Sequence, residues 1–135
     1  MTDRVFFYVP GKAAPQGSKR HVGGGRMIES SRELGPWRER VALAASAAMA
    51  GQPMFLGAVA VELAFVLPRP VSTPKRSTPP AVKRPDVDKL ARAVLDALTD
   101  VVIADDSQVV VLSASKRLAD VGEAPITHIR IEETR

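Results

Sequence analysis

Between Lys83 and Gln108 the chain reads KRPDVDKLARAVLDALTDVVIADDSQ, with two pairs of aspartates at its ends: Asp86 and Asp88 in an Asp-x-Asp, then Asp105 and Asp106 side by side. Carboxylates gathered in one place repel one another, and only a cation or basic side chains relieve that cost. Oxygen-only ligands of this kind suit Mg²⁺ or Mn²⁺, ions that keep several waters and bind phosphate oxygens. A single amphipathic run separates the pairs. If it is a helix, the segment after it can return toward the helix start and bring Asp106 to Asp86 and Asp88, with Asp105 as a further acid. The bland alternative is that Asp86 and Asp88 cap and face the positive end of a helix, and that Asp105 and Asp106 form a plain turn.

The surrounding charge is segregated. Five basic residues and no acid lie between Pro68 and Pro85, whereas six aspartates lie between Asp86 and Asp106 against Lys89 and Arg92. Lys12, Lys19, Arg20 and Arg26 form a second basic stretch. The acids would hold metal and the basic arms a phosphate backbone. On that reading Lys12, Lys19, Arg20, Lys75, Arg76, Lys83 and Arg84 contact phosphates, giving affinity and register but little sequence information. A bound metal would polarise the scissile phosphate and lower the pKa of an attacking water.

The elements that must position these residues are read from pattern. RVFFYVP predicts a strand over about 4–9, and the Gly-, Pro- and Lys-rich stretch after it a basic loop or loose hairpin over about 11–28, with GGG at its tip. A helix follows, with Pro36 in its first turn, Gly51 at its C-cap, and Trp37, Val41, Ala44, Ala45 and Ala48 as its buried stripe. The β-branched run ending at Pro68 predicts a central strand. The Pro-rich basic segment over about 68–85 reads as a flexible surface loop. A helix over about 87–99 places Val87, Leu90, Ala91, Val94, Leu95 and Leu98 on one face and Asp88, Lys89, Arg92 and Asp96 on the other. Two alternating strands, QVVVLSASKRLA and PITHIRIEE, close the chain around the turn DVGEAP. The expectation is one α/β (α+β) domain over 1–135, a small mixed sheet with two main helices packed on it.

KRPDVDKLARAVLDALTDVVIADDSQVV resembles the signature of the RusA-type Holliday-junction resolvases, many of them encoded by phages or prophages. That pattern is a basic run, Asp-x-Asp, an LDALT-like helix, then Asp-Asp followed by Gln-Val. Looser likeness extends to the loop from Pro15 to Arg20, the central helix and the final strands. The resemblance implies a homodimeric, Mg²⁺-dependent endonuclease that nicks four-way DNA junctions symmetrically in recombination and repair. By position, Asp86, Asp88 and Asp106 match the family's catalytic aspartates, and Asp105 is a neighbouring acid or turn cap. Where the family has a lysine four residues after the second aspartate, this chain has Arg92. Arginine stabilises developing negative charge but does not give up a proton, which favours an electrostatic role there. Arg92 also stands one helical turn from Asp88, so a plain i,i+4 ion pair is the alternative. Two rivals stay open: a non-catalytic DNA-binding protein that keeps the fold, and a nuclease for flaps or forks.

Other features limit the field. The net charge is +4 and the pI near 9.9. Cysteine is absent, which excludes disulfides and thiolate zinc sites and makes a cytoplasmic setting the default. No apolar run approaches the length needed to span a bilayer, so no membrane role is expected. His21 and His128 have no partner at metal-ligand spacing. Trp37 lies in the apolar helical stripe and reads as core, and the few aromatics offer no platform for single strands.

Overall fold

The computed structural model describes residues 3–17, 19–22, 26–29 and 32–134. Strand β1 (Arg4–Pro10) alternates strictly: Val5, Phe7 and Val9 are buried while Phe6 and Tyr8 face outward. The basic stretch after it forms a small hairpin of β2 (Lys19–Val22) and β3 (Arg26–Glu29), and its GGG tip lies outside the described residues.

Helix α1 (Leu34–Met49) buries Leu34, Trp37, Val41, Ala45 and Met49. Ala44 and Ala48, assigned to the same stripe, are only partly buried. Its chain reversal starts one residue before the anticipated glycine: Ala50 is already left-handed at φ 50°, and Gly51 continues at φ 82°. Trp37 is core as read, with the Arg40 guanidinium 5.3 Å over its ring.

The central strand β4 (Val59–Leu67) is followed by the Pro-rich segment and then by α2 (Val87–Leu98). Helix α2 buries Leu90, Ala91, Ala93, Val94, Ala97 and Leu98. Each of its large aliphatic side chains contributes about 1.5–3 kcal/mol by leaving water. Strand β5 (Val109–Leu118) then runs parallel to β4, completing a β-α-β unit, and β6 (Ile126–Glu133) ends the fold.

The sheet order is β1-β6-β4-β5, with β6 antiparallel to both of its neighbours. Strands β5 and β6 are therefore adjacent in sequence but separated in space by β4. Their connection crosses the end of β4, where Ala119 N–H donates to Leu67 O at 2.8 Å. Both helices cover one face of the sheet, and the core lies between. This is the mixed α+β arrangement that the pattern predicts. Strand β5 is an edge with Val110, Val111 and Leu112 exposed. Among the described residues no helix is long and apolar enough to cross a membrane.

Candidate active site

The Pro-rich segment ends on Asp86, the N-cap residue of α2, whose backbone is extended at φ −72°, ψ 141°. Its carbonyl accepts from Leu90 N–H at 3.1 Å, but its carboxylate makes no cap hydrogen bond. The capping role is thus left unfilled at this position. The exposed carboxylate has the Lys89 ammonium at 4.0 Å, a loose surface pair worth at most about 1 kcal/mol. Asp88 lies in the first turn, facing solvent at the positive end of the helix dipole. Arg92 is exposed and forms no ion pair with Asp88, so the i,i+4 alternative is not realised.

The second pair behaves differently. Asp105 caps the short 3-10 turn Asp106–Gln108 in a capping box, its carboxylate accepting from Ser107 N–H at 2.9 Å. Those hydrogen bonds from Ser107 hold its pKa below the ordinary carboxylate value. Asp105 is accordingly a turn cap. Asp106 is exposed beside it; its carbonyl accepts from Val109 N–H, and its carboxylate has no hydrogen bond or ion pair among the described residues.

Within one chain the structure does not bring the two pairs together. Helix α2 is 12 residues long, about 18 Å at 1.5 Å per residue. After it the chain winds tightly around the Leu98 carbonyl, which faces the N–H groups of Val101, Val102 and Ile103 at 3.1, 2.9 and 3.3 Å. Asp105 and Asp106 therefore stay at the C-terminal end of α2. The return toward the helix start is made by β5 after them. Among the described residues no three acids or histidines are grouped to hold a metal ion.

Two side chains that the sequence reading passed over fix these two ends. Lys116, near the end of β5, donates to the carbonyls of Lys83 and Pro85, both at 2.8 Å, and so anchors the chain directly before Asp86. Gln108 uses both ends of its amide. Its oxygen accepts from Ala104 and Asp105 N–H at 2.7 and 3.0 Å, and its nitrogen donates to Phe55 and Gly57 carbonyls at 2.8 and 2.9 Å. The Asp-x-x-Gln spacing of a capping box was a legible signal for Gln108; nothing in the local sequence marked Lys116.

The basic residues also divide. Arg69 turns inward on its own segment, donating to Pro74, Ser77 and Ala119 carbonyls and to the Thr78 hydroxyl. Thr78 in turn donates to Asp120 at 2.6 Å. The segment over 68–85 has no helix or strand, yet it is tied down by side chains. Lys75, Arg76, Lys83 and Arg84 stand exposed along it. Lys12 is exposed with Glu33 at 3.5 Å. Lys19 and Arg20 fall on β2, and their side chains lie outside the described residues.

The donor chemistry fits a hard divalent cation: Asp86, Asp88 and Asp106 present exposed carboxylate oxygens, while Asp105 is committed to its turn. Of these three aspartates, one chain brings Asp86 and Asp88 to the same end. A search of the curated proteins found no match. Residues 9–132 match the family described as Endodeoxyribonuclease RusA, nearly the whole chain, with the acidic and basic segments inside the match. The chain belongs to the RusA family of endodeoxyribonucleases.

Proposed function

We propose that two copies of this chain form a metal-dependent endonuclease, acting in the cytoplasm, that resolves four-way DNA junctions by paired symmetric nicks. The observation that carries this reading is the state of three aspartates. The Asp86 carboxylate makes no cap bond, the carboxylates of Asp88 and Asp106 have no partner among the described residues, and all three are exposed. Holliday junctions are the substrate class of the family.

The separation of the acids supports a site shared between two copies. Strand β5 is an edge of ten residues, and its exposed Val110, Val111 and Leu112 leave an apolar strand open to pairing. A two-fold axis across that edge runs two β5 strands antiparallel. The start of one strand then meets the end of the other. Asp106 of the partner subunit is carried toward the end where Lys116 anchors Pro85 and where Asp86 and Asp88 open α2. Each dimer has two such ends, matching the two-fold symmetry of a four-way junction.

In this site Asp86, Asp88 and the partner subunit's Asp106 would hold Mg²⁺ or Mn²⁺. When bound, the ion supplies a polarised scissile phosphate and a water of lowered pKa. Arg92, without an ion-pair partner among the described residues and unable to donate its proton, stabilises negative charge on the phosphate as the bond breaks. Lys12, Lys19, Arg20, Lys75, Arg76, Lys83 and Arg84 hold the flanking phosphates. Lys116 sets the position of Asp86 through the backbone before it.

The test is cleavage of a synthetic mobile four-way junction against linear duplex, with and without Mg²⁺ or Mn²⁺. Paired symmetric nicks that require the metal are expected. Junction binding without nicks in either metal refutes the enzymatic reading in favour of a structure-selective binding protein. Faster cutting of flaps or forks reassigns the substrate.

A further inference from the structure

Both helices pack on one face of the sheet, and the outer face stands open: Phe6 is 62%, Tyr8 57% and Val111 55% exposed. Large exposed apolar side chains grouped on one face mark an interaction surface. Strand alternation and register arrange this face in rows. The middle row, read from β1 through β6 and β4 to β5, is Phe6, Arg130, Glu62 and Ser113. The next row toward the end of β1 is Tyr8, His128, Ala64 and Ser115.

The two halves of the face are unlike in height. On β1 and β6 the His128 ring lies 6.4 Å from that of Phe6 and 6.3 Å from that of Tyr8, forming a ridge. On β4 and β5 the same rows carry Ala64, Ser113 and Ser115. A shallow hollow of about 220 Å³ opens there, bounded by Ala60, Glu62, Ser113 and Arg130.

Charge follows the same division. Arg4 and Arg130 on β1 and β6 are balanced by Glu62 and Glu132 on β4 and β6, and Arg117 is committed to Glu123. The face is therefore nearly neutral in a chain of net charge +4. Its rings do form an aromatic cluster, which the sequence did not lead one to expect, but a phosphate backbone is drawn to the basic segments elsewhere. Glu62 is the one charged residue of the central strand. It stands exposed across from Arg130, yet it forms no ion pair among the described residues. Arg130 turns to Glu132 instead, at 3.5 Å.

We propose that this face is a second self-association surface, on which another copy of the chain packs sheet against sheet. Aligned sheets pack about 10 Å apart with their strands within about 30°. A two-fold axis in the plane of contact, parallel to the strands and midway between β6 and β4, exchanges the halves and keeps each row at its own level. Phe6 then meets the partner subunit's Ser113, and Tyr8 meets the partner subunit's Ser115. Arg130 meets the partner subunit's Glu62, which supplies the cation that Glu62 lacks. Each contact occurs twice, so ridge enters trough and base meets acid on both sides of the axis. The inference goes beyond the nuclease reading and does not rest on it. The axis proposed at the β5 edge is perpendicular to the sheet and does not meet this one, so edge and face contacts together build an open-ended association of dimers.

Sedimentation velocity of the full chain over a concentration series tests the proposal. Wild-type mass is expected to rise with concentration beyond two chains. Glu62→Arg sets guanidinium against guanidinium, and Arg130→Glu sets carboxylate against carboxylate, so each variant alone is expected to stop at two chains. An equal mixture of these two variants is expected to associate as wild type does, because every facing pair is again opposite in sign. That recovery arises only between different chains, so a role within one chain does not produce it. Ser113→Trp, at an exposed residue, fills the hollow and is expected to act as the single charge reversals do. Circular dichroism confirms that the variants are folded. Unchanged association in the three variants, or a mixture that fails to recover, overturns the proposal. Binding of a thymidine oligomer that is lost in Tyr8→Ala, with no change in mass, also overturns it and makes the face a single-strand platform. If wild type stops at two chains and the charge reversals reduce it to one, the face contact stands and the β5-edge pairing fails.

Discussion

The shared site makes a prediction that a single-chain site does not. Asp88→Asn and Asp106→Asn are each expected to abolish junction nicking, but an equal mixture of the two variant chains is expected to recover it. The reasoning is geometric. From Asp88 to its last residue, Leu98, helix α2 rises about 15 Å, and Asp106 lies beyond that end, whereas carboxylates sharing one Mg²⁺ each bind it at about 2.0–2.1 Å. On the proposed reading, the two acids of one chain therefore serve different sites. In a mixed dimer one site carries both substitutions and the other carries neither. Random exchange makes about half of the dimers mixed, each with one intact site of two, so about one quarter of wild-type site activity returns. The assay co-refolds differently tagged chains, isolates the mixed species, and follows nicking of an end-labelled junction with Mg²⁺. Mixed dimers should give single nicks in place of paired ones. A mixture of Asp86→Asn with Asp88→Asn should recover nothing, because both fall at the same end. Purified mixed dimers of Asp88→Asn with Asp106→Asn that remain inactive would refute the shared site.

The anchors give further expectations. Lys116→Met removes two charged hydrogen bonds to the Lys83 and Pro85 carbonyls; a loss of about 1–3 kcal/mol in denaturant unfolding should be accompanied by a fall in kcat. Gln108→Glu keeps the acceptor toward Ala104 and Asp105 but sets a carboxylate oxygen against the Phe55 and Gly57 carbonyls, so its unfolding midpoint in denaturant should fall below that of wild type, as should that of Gln108→Ala. Arg117 grips Glu123 through two 2.7 Å bonds and lowers its carboxyl from 4.5 to about 2. This contribution to stability is complete above about pH 4.5 and disappears as pH falls through about 2, because the unfolded chain takes up the proton first. The melting temperature of Glu123→Gln should accordingly change less steeply than that of wild type across this window, and parallel curves would exclude the linkage.

Much of the scaffold was legible because its pattern is local. Pro85 forces the residue before it out of helix, so α2 begins where expected, and the recurrence of Leu90, Val94 and Leu98 defines its inner face. That face is wider than the stripe drawn from sequence. Ala93 and Ala97 are buried and Val87 and Leu95 only half-buried, because α2 packs against α1 as well as the sheet. The convergence of the acids was not legible, for a different reason. Spacing counts residues but carries no direction. Only the parallel pairing of β4 with β5, from Ala60↔Val111 to Leu67↔Leu118, shows that the return path follows the second acidic pair instead of preceding it.

The basic segment carries the same lesson about charge. Six prolines between 68 and 85 remove backbone N–H donors, so the carbonyls around them have few backbone partners. Long cationic side chains supply the missing donors: Arg69 serves Pro74, Ser77 and Ala119, and Lys116 from β5 serves Lys83 and Pro85. A guanidinium with five N–H groups is well suited to this. Counting bases along such a segment therefore overstates the charge it offers to DNA. Arg69 is structural, whereas Lys75, Arg76, Lys83 and Arg84 stand exposed. Lys83→Gln should reduce the slope of log binding constant against log salt by about one, as one phosphate contact does, while Arg69→Gln should act mainly by loosening the segment and lowering the unfolding midpoint. Equal salt slopes for wild type and Lys83→Gln would remove Lys83 from the phosphate-contacting set.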